Sequence, residues 1–289
     1  MNARLLLNLF LLIGIAAAGL FIINSPDKDE ANIIKLGGPE ISEIKNILIQ
    51  SNGLPDVALE KDKNDKWFMS RPYKAQANSL PISEIIKLTG AISHSRFSAV
   101  DKNLRAYDLL PAKASVHLNE TEYAFGNIEH INKRRYILKN NMVHLTTDLF
   151  YHRLRTNAES FIRPQLLPDD VSITRVDTAD FTLNQTAQGE WMVSGKKSFS
   201  DNMATDAIQI LLDHWQHKRA TKILPTKPTD SSQRISIALS DNSEIQFAVV
   251  KNNQELILIR SDLGFQYHLP TGAADDLLTL QQTSIEKIK

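Results

Sequence analysis

Two stretches decide the reading of this chain: Val57-Ala58-Leu59-Glu60-Lys61-Asp62-Lys63-Asn64-Asp65-Lys66-Trp67-Phe68-Met69-Ser70 and Phe181-Thr182-Leu183-Asn184-Gln185-Thr186-Ala187-Gln188-Gly189-Glu190-Trp191-Met192-Val193-Ser194. Each alternates apolar and polar residues, breaks at a polar turn, and resumes on a tryptophan. Period-two alternation around an Asn, Asp or Gly turn is the pattern of an antiparallel hairpin. The two stretches match position for position without a gap.

Extending the comparison outward at the same spacing matches Ile47 with Val171 and Ile49 with Ile173. Beyond the hairpin it matches Asn78 with Asn202, Ile86 with Ile210 and Leu88 with Leu212. Further on the spacing drifts, as loop-length changes would cause: Val116-His117-Leu118 resembles Ile237-Ala238-Leu239, and Tyr136-Ile137-Leu138 resembles Leu256-Ile257-Leu258. An ordered series of matches indicates an internal duplication.

Each unit reads as a hairpin with a third strand, then a helix, then four more strands and a short closing helix. The first helix is expected over Ser79–Ser93, with Ile82, Ile85, Ile86, Leu88 and Ile92 on one face and Pro81 in the first turn, where proline is tolerated. The second is expected over Asn202–His217, with Ala204, Ile208, Leu211, Leu212 and Trp215 inward. The later strands fall at 114–119, 122–127, 135–139 and 142–146, and again at 234–239, 244–250, 255–260 and 265–269. The closing helices lie near 147–155 and 271–280. Runs of strands around one long helix indicate an α+β fold. The expected organisation is a first unit at 41–156, an inter-unit linker at 157–170 containing Pro164 and Pro168, and a second unit at 171–289.

Residues 1–24 read as a transmembrane signal anchor. Leu5 to Ile23 is an apolar run interrupted by Asn8, Gly14 and Gly19, and at about 1.5 Å per residue it approaches the hydrocarbon thickness. Arg4 and the amino terminus before it place the body outside the cytoplasm. A cleaved signal is the competing reading, with Ala16-Ala17-Ala18 before the cut; the apolar run continues through Ile23, which favours the uncleaved form. A buried soluble helix fits less well, because the run shows no amphipathic stripe. Residues 25–40, ending Gly37-Gly38-Pro39, read as a polar linker holding the body off the bilayer.

Lysine plus arginine equals aspartate plus glutamate, 33 each, so the net charge is zero. That balance argues against a dedicated nucleic-acid partner, which attracts a basic excess. The chain has no cysteine, which excludes disulfides, thiolate metal sites, a cysteine nucleophile and lipoprotein acylation.

Candidate sites are weak. His214 and His217 could share a metal at helical spacing, but no third ligand is evident and a solvated helix end explains them; no metal site is assigned. His144 and His152 flank Thr146, Thr147 and Asp148, without the nucleophile elbow a hydrolase would carry. Asp169-Asp170 and Asp275-Asp276 read as loop or helix-start carboxylates, and Gly37-Gly38-Pro39 lacks the rest of a phosphate loop. No catalytic residue and no cofactor is assigned. Lys133, Arg134, Arg135, Arg153 and Arg155 form a candidate interaction patch for lipid head groups or an acidic partner. Trp67 and Trp191 are expected to be the structural core of their units.

The tryptophan-bearing strand, the following turn with Pro72 and Ala75, the apolar helix, and Ala106-Tyr107-Asp108-Leu109-Leu110-Pro111 leading into the strand 114–118 together resemble the bacterial domain of unknown function 4340. The second unit departs from that pattern, with Ile223-Leu224-Pro225-Thr226-Lys227-Pro228 where a Tyr-Asp-Leu-Leu-Pro element is expected. The resemblance implies tandem units behind one helix in the bacterial inner membrane, with the body on the periplasmic side. It also implies an accessory role beside ABC-type or gliding-motility transport systems, and it brings no catalytic residues. The expected function is a non-enzymatic scaffold or accessory subunit with a protein partner in the membrane or envelope. The alternative is an exported small-ligand binder or hydrolase with a site in the cleft between the units; clustering of Arg153, Arg155, Arg163, His144 and His152 around one deep pocket would mark it.

Overall fold

The computed structural model describes residues 12–15, 34–195, 205–226, 233–252 and 254–280. Most of the expected anchor, Leu5–Ile23, therefore lies outside the described residues, as do the linker before Ile34 and residues 202–204 of the second helix. Of the anchor, Leu12 to Ile15 are helical and exposed. Among the described residues no helix is long and apolar enough to cross a membrane.

The described chain is mostly β, in two large antiparallel sheets with few helices. The first sheet contains β1 (Asn46–Ser51), β2 (Val57–Lys61), β3 (Trp67–Arg71), β4 (Ala75–Gln76), β5 (Ser93–Ser98), β6 (Ala114–Leu118), β7 (Thr121–Ile128), β8 (Arg134–Lys139) and β9 (Met142–Thr147). Its order is β4-β3-β2-β1-β6-β7-β8-β9-β5. The second contains β10 (Ile173–Asp177), β11 (Phe181–Gln185), β12 (Trp191–Gly195), β13 (Lys222–Pro225), β14 (Gln233–Leu239), β15 (Glu244–Lys251), β16 (Glu255–Arg260) and β17 (Phe265–Pro270). Its order is β12-β11-β10-β14-β15-β16-β17-β13. Apart from β4, the strands follow one another in the same order in both sheets.

The quoted hairpins share the main hydrogen bonds of their turns. Asp62 N–H donates to Lys66 O and Thr186 N–H to Glu190 O, both at 2.8 Å. Asp65 N–H returns to Asp62 O, and Gly189 N–H to Thr186 O. The side chain at the first turn position accepts from the amide four residues on, Asp62 Oδ1 from Lys66 and Thr186 Oγ1 from Glu190. Asp65 (φ 59°) and Gly189 (φ 87°) hold the same left-handed position, which Asp tolerates and Gly adopts freely.

The first strand is where the ungapped match fails. Leu59 pairs with Ile47, but Leu183 pairs with Val176. Val176, not Val171, therefore occupies the place of Ile47. The β10–β11 connection is shorter than the β1–β2 loop, and hairpin length sets register. A register irregularity in β10 between Ile173 and Arg175 lets Ile173 and Val176 both face inward, 6 % and 0 % exposed.

The first long helix is α1 (Ser79–Ile86), capped by Asn78 Oδ1 accepting from Leu80 N–H, and it tightens into a 3-10 turn over Lys87–Gly90. It ends well before Ser93, which instead opens β5. Ile92, expected on the buried face, is 47 % exposed. α2 (Tyr151–Leu154) closes the first half. In the second half, α3 (Thr205–His217) buries Ile208, Leu211, Leu212 and Trp215, and α4 (Ala273–Leu278) is the last helix among the described residues. Strands β5 and β13, absent from the sequence reading, each follow the helix and edge their sheet by pairing with β9 and β17. β5 is mostly polar and exposed and β13 has only four residues, so alternation alone did not reveal them.

Two expected linkers are structured. Residues 34–38 dock on the first half: Leu36 is 2 % exposed, its N–H donates to Ala91 O, and Lys139 Nζ donates to its carbonyl. Tyr123 donates its hydroxyl to Gly37 O at 2.6 Å. At 157–170, a 3-10 turn over Ala158–Phe161 leads to Ile162, Leu166 and Leu167, with Phe161, Ile162, Leu166 and Leu167 at most 2 % exposed. Backbone bridges tie Ala77 to Ile162 and Gln165 to Arg219. Tyr73 packs edge-on against Phe265 across the seam, ring centres 4.9 Å apart. One hydrophobic cluster runs through both halves, so the segment read as a joint is core.

The tryptophans divide unequally. Trp67 is 8 % exposed, as expected. Trp191 is only partly buried and lines a surface groove with Leu212 and Gln216. The core indole of the second half is Trp215, fully buried, 5.6 Å from the Phe247 ring and donating Nε1–H to Leu277 O at 3.0 Å. The edge position of β12 leaves Trp191 without a covering neighbour on one side among the described residues.

Candidate functional site

The candidate interaction patch does not exist as one surface. Arg135 is 4 % exposed. Its guanidinium pairs with both Asp148 oxygens at 2.7 Å, donates to Gly126 O at 2.6 Å, and lies 3.7 Å from the Tyr151 ring centre. A planar fork of donors suits that two-oxygen pairing. The residue follows strand alternation inward, which its charge concealed. Arg153 pairs with Glu84, holding that carboxyl below its usual range. Arg155 donates to Asn52 O at 2.6 Å, on the loop after β1. Lys133 and Arg134 stay at the β7–β8 turn, Lys133 exposed with φ 56°.

What remains at that end of the sheet is apolar and exposed. Arg134 pairs with Thr147, Thr146 with Ser93, and Ser93 N–H donates to Ile34 O. The β7–β8 turn, the segment after β9, and the start of β5 therefore lie at one end, where Ile34 joins the body. Ile131 there is 87 % exposed, Leu149 61 % and Ile92 47 %. Beside them a groove of about 920 Å³ runs between the docked segment and the Phe150–Arg153 turn, with Ile41, Lys35, Lys87 and His152 along it. Periodicity could not reveal this cluster, because its members come from three separate segments.

The remaining candidates disperse. His144 is buried and shares a hydrogen bond with Ser93 Oγ at 2.9 Å; desolvation, with Lys139 and Arg96 nearby, pushes its pKa down. Asp148 is taken by Arg135, and Thr146 Oγ1 is buried without a partner among the described residues. No nucleophile–base–acid chain links these groups. His214 Nδ1 faces Asp276 O at 3.2 Å, Lys218 pairs with Asp276, and His217 turns back to Asp213. Among the described residues no group of three or more His, Cys, Asp or Glu could hold a metal.

Nor do the residues that would mark an inter-unit cleft gather. Arg153 and His152 line the groove above, Arg163 and Arg155 line separate grooves on either side of the seam, and His144 is interior. Arg163 is spent on Leu167 O and Asp169.

No family model matches the chain, no curated protein matches it, and no solved structure matches it.

Proposed function

We propose that this chain is a non-enzymatic envelope component, anchored by its N-terminal apolar run in the bacterial inner membrane. Its body lies on the periplasmic side and serves as a scaffold or accessory subunit for a protein partner. That body is two copies of one α+β unit in tandem, similar to the bacterial domain of unknown function 4340. The shared strand order and the matching Asp62–Lys66 and Thr186–Glu190 turns support the duplication. An accessory role beside an ABC-type transport system rests on the resemblance.

The observation that carries the reading is the packed seam. Phe161, Ile162, Leu166 and Leu167 fuse the two sheets into one continuous body. Ligand sites favour open clefts between domains, and here apolar side chains fill the middle of that position and leave a separate groove on either side. Such a body offers extended faces for other proteins. The test joins topology to partnership. A C-terminal alkaline phosphatase fusion is expected to be active, and cross-linking of the full chain in its native membranes followed by mass spectrometry is expected to return one recurrent partner. An active cytoplasmic reporter at the same position, or no recurrent partner, would overturn the reading.

A further inference from the structure

We infer that the end of the first sheet carrying Ile131, Leu149 and Ile92 lies against an anionic bilayer surface. The inference rests on the anchored reading above and adds which face of the body meets the membrane.

Three observations converge. First, the apolar side chains protrude where folding gives them nothing to cover. Ile131, at 87 %, is the most exposed large apolar side chain among the described residues, and at the same end Leu149 and Ile92 are 61 % and 47 % exposed. Isolated exposed apolar residues are ordinary, but a cluster drawn from separate loops marks a covered face. Ile131 sits at the tip of a tight turn whose Glu129 carboxylate accepts from Ile131 N–H at 2.7 Å and Asn132 N–H at 2.9 Å. The tip is thus presented by hydrogen bonds.

Second, the charge suits an anionic surface. Lys35, Lys87, Lys133 and Arg134 have no carboxylate within ion-pair distance among the described residues. Two nearby carboxylates, Glu84 and Asp148, are already paired with Arg153 and Arg135. Glu40 in the groove and Glu129 at the turn stand against these four cations, so cations predominate among the described residues named here. Apolar tips between basic side chains are the combination that binds interfaces of anionic lipid.

Third, the tether reaches. From Ile23, the last residue of the apolar run, to Ile34 the chain spans at most roughly 40 Å fully extended. Ile34 hydrogen-bonds to Ser93 at this same end, so the body is delivered to the bilayer at the face that carries the apolar tips.

The chain has no cysteine, so single substitutions give unique labels. Ile131→Cys, Leu149→Cys and, as a reference on the other sheet, Met192→Cys, each at an exposed position, would carry an environment-sensitive dye in the full chain. The protein would be reconstituted in nanodiscs of phosphatidylglycerol and phosphatidylcholine containing brominated lipid. Labels at 131 and 149 are expected to shift to the blue and be quenched by the brominated lipid, and the label at 192 to stay aqueous. Adding Lys133→Glu with Arg134→Glu is expected to reduce the quenching at 131 and 149 several-fold. If the chain co-purifies with the discs but all three labels remain aqueous, the docking face is wrong and the anchor stands. If the chain does not co-purify with the discs, the anchored reading fails and this inference falls with it.

Discussion

Replacing Trp215 with alanine tests how the second half is held together. The indole is fully buried, lies against Phe247, and donates Nε1–H to Leu277 O. Truncating a buried tryptophan costs about 3–5 kcal/mol in transfer and cavity terms. Leaving the Leu277 carbonyl without its donor adds about 1–3 kcal/mol unless water reaches it. Against a typical stability of about 5–15 kcal/mol, the loss is large. At roughly 2–4 °C per kcal/mol for domains of this scale, the melting temperature should fall by about 6 °C or more. Trp191→Ala is the comparison. That side chain is part-exposed at the rim of a groove on edge strand β12, so its truncation loses only part of the transfer energy and opens no closed cavity. Thermal and urea unfolding of the full chain with each substitution reads the difference. A Trp191→Ala loss equal to or greater than that of Trp215→Ala would refute the argument and return the core role to the tryptophan of the repeated hairpin.

Two further substitutions test specific contacts. A Cβ on Gly126 would sit 2.2 Å from Tyr107 O and 2.9 Å from the Leu109 side chain, so Gly126→Ala should destabilise by about 1–3 kcal/mol through overpacking; an unchanged urea midpoint would show that the 104–109 loop moves aside freely. His144 has its pKa lowered by burial, with Lys139 and Arg96 adding to the effect. The unfolded chain therefore takes up the proton first as pH falls below about 6.5, so the contribution is intact above that pH and is lost as pH drops toward the folded-state pKa. Stability measured at pH 7.5 and 5.5 should fall more for the wild type than for His144→Asn; equal falls would remove His144 as the source.

Local pattern made much of this fold legible. Strands at 114–118, 134–139, 255–260 and 265–270 fall within a residue or so of their expected bounds, because each has one face on the core and alternation records that directly. The repeated tryptophan hairpin was legible for the same reason, together with its turn chemistry. Where pairing depended on loop length, the sequence misled: Val171 matched Ile47 in spacing, but the shorter β10–β11 connection gave the place to Val176. Charge misled at Arg135, whose position in β8 points inward while its side chain suggested a surface.

The sequence by itself determined the strands that alternate against the core, the helix that follows each three-strand unit, and the apolar N-terminal run, because these rest on periodicity and length; the edge strands β5 and β13 it did not. Only the tertiary structure decided that 157–170 is core, that Trp215 outranks Trp191, and which basic residues remain free. Burial and ion pairing are properties of what lies opposite a residue, and here the partners are distant in sequence: Arg153 with Glu84, Leu36 with Ala91, Tyr73 with Phe265. The exposed end of the first sheet belongs to the same class, since Ile34, Ile92, Ile131 and Leu149 are brought to one end only through the register of β8, β9 and β5.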